Sequence, residues 1–93
     1  MLKVEGNAIF RSGIKVGYVE NGHVIDRSGK KVGYYSGDHV FSEDGRKLAS
    51  LEGDFIYFMD SGHKMRIEDN NSDVVGGNLT NLEKAAARIL FGE

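Results

Sequence analysis

Four lysines in this 93-residue chain recur at nearly constant distance: Lys15, Lys31, Lys47 and Lys64, separated by 16, 16 and 17 residues. Each stands two places after a glycine (Gly13, Gly29, Gly45, Gly62) and directly before an apolar residue (Val16, Val32, Leu48, Met65). Ammonium groups at equivalent places of a repeated unit project on one side. If the units close into a ring, they converge on an anion such as phosphate or a carboxylate. These four lysines are the candidate anion-binding residues. The competing explanation is solubility, because lysine on an exposed strand discourages edge pairing.

Other residue types offer less. His23 and His39 also lie 16 apart, but a metal site needs further ligands, and the corresponding places hold Asn7 and Ile56. His63 is accounted for by an ion pair with Asp60 across a turn. Tyr18, Tyr34 and Tyr35 alternate with basic residues, as base-stacking platforms do, yet no basic cluster surrounds them and the net charge is −2. Nucleic acid is therefore not an expected partner. There is no cysteine, no phosphate-binding Gly-x-x-x-x-Gly-Lys-[Ser/Thr] loop, and no glycine-flanked serine elbow. The carboxylate pairs Glu43-Asp44 and Glu68-Asp69 fall in turns and ends. No catalytic residue, metal or cofactor is predicted, and the chain is expected not to be an enzyme.

Positioning those lysines requires hairpins. Ser12, Ser28, Asp44 and Ser61 each precede the repeated glycine, and Ile9, Ile25, Phe41 and Phe58 stand four residues before it. Ser-Gly or Asp-Gly between short alternating segments predicts a two-residue type I′ turn. Counting outward pairs Ile9 with Val16, Ile25 with Val32, Phe41 with Leu48 and Phe58 with Met65. The opposite face then carries the lysines beside Gly17, Gly33 and Ala49. Turns at Glu20-Asn21-Gly22, Ser36-Gly37-Asp38 and Glu52-Gly53-Asp54 join one hairpin to the next. The result is an eight-stranded antiparallel meander over residues 4–68. Such a meander protects its edges by closing about a pseudo-fourfold axis. The fourth unit departs from the pattern, with Arg66 in place of a small residue and one extra residue before its turn. A closing seam with a bulge is expected there.

Residues 69–79 are polar and glycine-rich and read as a loop. A helix follows over 80–91. Thr80 and Glu83 form a capping-box pattern, Gly92 occupies the C′ place, and Leu82, Ala86, Ile89 and Leu90 share one face. That stripe is expected to dock on the mouth of the β-repeat, with self-association through the helix as the alternative. Asn78-Leu79-Thr80 fits a glycosylation sequon but reads as this helix's start. With 40% hydrophobic and 28% charged residues, 13 glycines and no proline, residues 1–93 form one mainly β domain. Without an apolar leader or a membrane-length run, a cytoplasmic, bacterial-type protein is the expectation.

The motif apolar-apolar-x-x-[Ser/Asp]-Gly-x-Lys-apolar-small, repeated four times and followed by a helix, resembles the four-fold beta flower family. The resemblance covers residues 4–68 and implies a shallow, flower-shaped antiparallel barrel. It implies no catalytic residues. A looser likeness of shape to Tubby-type and scramblase barrels, which enclose an apolar helix, suggests lipid contact. Two functions follow as expectations. One is a binding or interaction module presenting a face or central pocket to a protein or small ligand. The other is a lipid or membrane-surface module using an apolar channel and the C-terminal helix.

Overall fold

Two kinds of turn alternate along the chain and set its strands, as a computed structural model describing residues 1–92 shows. The strands are β1 (Leu2–Glu5), β2 (Ala8–Arg11), β3 (Ile14–Glu20), β4 (His23–Asp26), β5 (Lys31–Ser36), β6 (His39–Ser42), β7 (Lys47–Glu52), β8 (Phe55–Phe58) and β9 (Lys64–Arg66). Each pairs antiparallel with the next. Helix α1 (Ile67–Asp73), strand β10 (Val74–Val75) and helix α2 (Asn81–Phe91) complete the chain. β10 lies parallel to β1, so one mixed sheet runs β10-β1-β2-β3-β4-β5-β6-β7-β8-β9. The meander thus has nine strands rather than eight, and the ladder does not close β9 onto β10.

Along one rim, Asn21-Gly22 and Gly37-Asp38 carry positive φ at both residues (49° and 83°, 54° and 65°), the left-handed pair a type I′ reversal needs. Along the other rim only the Ser12-Gly13 turn is of this type. The next two are longer. Asp26 and Ser42 donate their N–H groups to the carbonyls of Lys30 and Arg46, and Gly29 and Gly45 donate back to Asp26 and Ser42. Only Gly29 and Gly45 take positive φ there, both at 91°. Asp26 favours this wider turn because its carboxylate accepts from the N–H groups of Ser28 and Lys30.

The wider turns move the register. The inward pairs are Ile9 with Gly17, Val24 with Gly33, Val40 with Ala49, and Ile56 with Met65. The expected pairs Ile9–Val16, Ile25–Val32, Phe41–Leu48 and Phe58–Met65 do not form. In the first three hairpins the register shifts by one residue, leaving Val16, Val32 and Leu48 as the extra residues of β-bulges. The fourth hairpin, where a bulge was expected, has an unshifted ladder. One slipped residue changes which side chains face the core. Gly17, Gly33 and Ala49 are consequently buried, on the face opposite to the lysines.

Ten strands at about 4.8 Å spacing would span about 43 Å if laid flat. The longest dimension of the molecule is 31 Å, so the sheet is strongly curled. Its inner face supplies one apolar cluster with residues from both ends of the sheet: Leu2, Val4, Ile9, Val24, Val40, Ile56 and Val74, with Met65 packed against it. Ala85, Ala86 and Ala87 of α2 join that cluster at 0% exposure. Three consecutive helical residues span more than half the helix circumference. The helix is therefore covered on more than one side, by the inner face of the sheet and by α1. Thr80 caps α2 through the expected box with Glu83, and the N–H of Gly92 closes it onto Arg88.

Of residues 69–79, only Gly76 to Leu79 form a loop. Asp69 to Asp73 lie in α1, and Val74-Val75 pair with Leu2 and Lys3. Asn, Ser and Asp are poor helix formers in isolation. Here Asn70 is almost fully buried and the neighbouring Ile67 packs on the core, so packing overrides propensity. α1 leads directly from one end of the sheet to the other. Inside this seam, Arg88 of α2 donates to Met65 Sδ (2.8 Å) and pairs with Asp73 (3.4 Å). No helix among the described residues is long and apolar enough to cross a membrane.

Candidate functional site

Strand alternation assigns the candidate lysines to the outer, solvent-facing side of the sheet. They stand at or next to the start of the alternate strands β3, β5, β7 and β9 along one rim, each at a ladder position opposite a large apolar residue. The partners are Phe10 for Lys15, Ile25 for Lys31, Phe41 for Lys47 and Tyr57 for Lys64. Alternate strands stand about 10 Å apart, and on the outside of a curl the side chains fan outward. Two lysines engage local rings instead of a common centre. Lys15 Nζ lies 5.2 Å from the Tyr18 ring centre and Lys64 Nζ lies 4.5 Å from that of Phe55, in range for cation–π attraction. Lys47 lines a small cleft beside Met59 and Asp60.

Next to the lysine rim runs an aromatic band. Tyr34 and Phe41 stack at 4.8 Å with 13° between their planes, and His23 and His39 flank them at 6.2 and 6.1 Å. The two histidines are therefore not brought together: they lie on β4 and β6, with β5 between. Phe55 and Tyr57 extend the band. Ile25 belongs to it as well, since it is opposite Tyr18 and Lys31; at 8% exposure it is buried, but outside the core cluster. All these aromatic rings are half-buried, so the band is paved rather than protruding. The far rim carries Glu5, Glu20 and Glu52, each just before a tight turn. His63 has no ion pair with Asp60 among the described residues. Its backbone N–H goes to Ser61 Oγ instead.

Tyr35, grouped by sequence with Tyr18 and Tyr34, points the other way. Its hydroxyl donates to Glu83 Oε2 at 2.6 Å, joining the inner face to α2. Burial and then the Glu83 carboxylate push the Tyr35 hydroxyl well above its usual range. Burial pushes Glu83 up, but this is outweighed by the Thr80 N–H and the Tyr35 hydroxyl, which hold it below the usual carboxylate range. Hydrogen bonds from Ser28 and Ser42 likewise lower Asp26 and Asp44 in their turns. The central mouth expected as a pocket is filled by α2: Phe91 lies over Gly17 and Leu90 over Gly33.

A cleft of about 750 Å³ lies instead at the seam, between the Gly53–Asp54 turn, Arg66 and α1. Sequence reading placed Arg66 at a break in the repeat but assigned it no role. The cleft depends on α1, which composition alone had hidden. Comparison of the chain with known protein families, with curated proteins and with solved structures gave no match.

Proposed function

We propose that the protein is a non-enzymatic, cytoplasmic binding module that uses the outer face of its sheet to hold a protein partner with an acidic border. The observation that carries this reading is the banded face: a rim of four lysines beside two groups of half-buried rings, His23–Tyr34–Phe41–His39 and Phe55–Tyr57. Aromatic rings supply contact area at little cost in conformational entropy, and a charged border sets orientation and encounter rate. The repeat explains why the same residue classes recur along the face. In this reading the curled sheet acts as a shallow pseudo-fourfold barrel of beta-flower type, with Lys15, Lys31, Lys47 and Lys64 each meeting a separate acidic group.

Two further observations favour this over the alternatives. The carboxyls whose acidity departs from normal, Asp26, Asp44 and Glu83, are all shifted down, away from the neutral range that suits proton transfer. The apolar stripe of α2, which a lipid-binding role would use, packs against the core, with Ala86 fully buried and Leu82, Ile89 and Leu90 partly so. Peptide-display selection on the intact chain tests the proposal. Selected peptides should be acidic, and Lys31→Glu with Lys47→Glu, or Phe41→Ser alone, should weaken them at least tenfold without loss of folding. Binders indifferent to these changes would overturn it, as would flotation of the chain with anionic liposomes that depends on α2.

A further inference from the structure

The seam cleft, which borders the outer face through Phe55, has a composition suited to a ligand. Arg66, Asp54 and Glu68 all line it, and none of the three makes an ion pair or side-chain hydrogen bond among the described residues. Asn71 reaches the same space. Its Nδ2 donates to Asn81 Oδ1 at 2.9 Å, which orients the amide, and its Oδ1 is buried with no donor. Phe55 and Ile67 contribute apolar wall. The site occurs once in the molecule, because Arg66 holds the ladder position that Tyr18, Tyr34 and Ser50 hold in the other hairpins.

We propose that this cleft binds a small apolar α-amino acid as its zwitterion. The guanidinium of Arg66 is suited to a carboxylate, which it grips through two parallel N–H bonds. An ammonium group carries three donors, which suit the exposed Asp54 and Glu68 carboxylates at the edge of the cleft. The side chain of the ligand packs on Phe55 and Ile67. The two carboxylates disfavour a dianion, and Arg66 disfavours a simple cation. A volume of about 750 Å³ lies in the range of small-molecule sites.

The experiment titrates the full chain with L-leucine, with 4-methylpentanoate (no ammonium) and with L-leucinamide (no carboxylate), followed by heteronuclear NMR and thermal melts. Leucine should saturably move the Phe55 and Arg66 backbone resonances and the Asn71 side-chain amide. It should also raise the melting temperature by a few degrees at about tenfold above its Kd. Each analogue should need at least tenfold more. Arg66→Gln and Asp54→Asn, each with an unliganded melting temperature near the parent's, should weaken leucine at least tenfold; if one of them unfolds, the other decides. The proposal fails if leucine gives no saturable shift, if the analogues match it, or if the folded variant binds leucine as the parent does.

Discussion

A β-carbon added at position 33 would lie 2.6 Å from Leu90 Cδ1 and 2.6 Å from the carbonyl oxygen of Phe41. The leucine can turn aside; the neighbouring strand's backbone cannot. Gly33→Ala should therefore destabilise the fold by about 1–3 kcal/mol, as overpacking does, and a melt or denaturant titration measures it. A melting temperature equal to the parent's would mean that the sheet and α2 are not in this close contact. Tyr35 and Glu83 make a second prediction at this scale. Glu83 ionises more readily folded than unfolded, so its contribution is present above the unfolded value of about 4.3. It is lost as pH falls through the lower folded value. Tyr35 has the opposite sense: its raised folded value costs stability as pH rises beyond about 10, where the unfolded hydroxyl ionises. Tyr35→Phe should remove the alkaline slope of stability against pH, and Glu83→Gln should flatten the acid one. Unchanged slopes would show the pair to be absent in solution.

Among the elements, α2 is the best specified locally and the most dependent on its surroundings. Its N-terminal box is complete, with Thr80 N–H to Glu83 Oε1 at 2.8 Å and Glu83 N–H to Thr80 Oγ1 at 3.2 Å. Thr80→Ala should cost about 1 kcal/mol, readable as a lowered midpoint in urea with an unchanged slope. α1 lacks a side-chain cap and consists largely of poor helix formers, so its order rests on packing at the seam. Removing the Asp73–Arg88 contact with Asp73→Asn should loosen α1 before the rest. Hydrogen exchange in Asn70 to Asp73 should accelerate while that of β4 to β7 stays slow. Uniform acceleration would instead make α1 part of a single cooperative unit.

For the whole molecule, the curled sheet and α2 are mutually dependent. Truncation after Asn78 would leave the inner cluster facing water where Ala85, Ala86 and Ala87 now fill it. A small domain with a stability margin of only about 5–15 kcal/mol does not survive that loss. The truncated chain should bind a hydrophobic dye and aggregate. Val40→Asp, an unpaired charge at a 0% exposed inner position, should unfold the chain likewise. Ile25→Asp tests the curl from the other side. Its place on the outer band predicts a smaller loss than Val40→Asp, and equal losses would mean that Ile25 faces the core.

By itself, the sequence determined the properties that are local or repeated. Glycines at fixed spacing marked the turns, alternation marked most strands, and Thr80, Glu83 and Gly92 marked both ends of α2. These rest on backbone conformations and caps that a few neighbouring residues control. The tertiary structure alone decided register, curl and which side chains share a face. Whether Ile9 meets Val16 or Gly17 depends on a single bulged residue, and Ser-Gly permits both the two-residue and the longer turn. The choice lies with packing: only the shifted register turns Gly17, Gly33 and Ala49 inward, where small residues admit Leu90 and Phe91. The same dependence hid α1, whose polar residues gain order only by packing at the seam, and β10, a two-residue strand that pairs with β1. It also hid the seam cleft: Asp54 and Arg66 are neighbours through the β8–β9 hairpin, but Asn71 joins them only because the chain turns into α1 there.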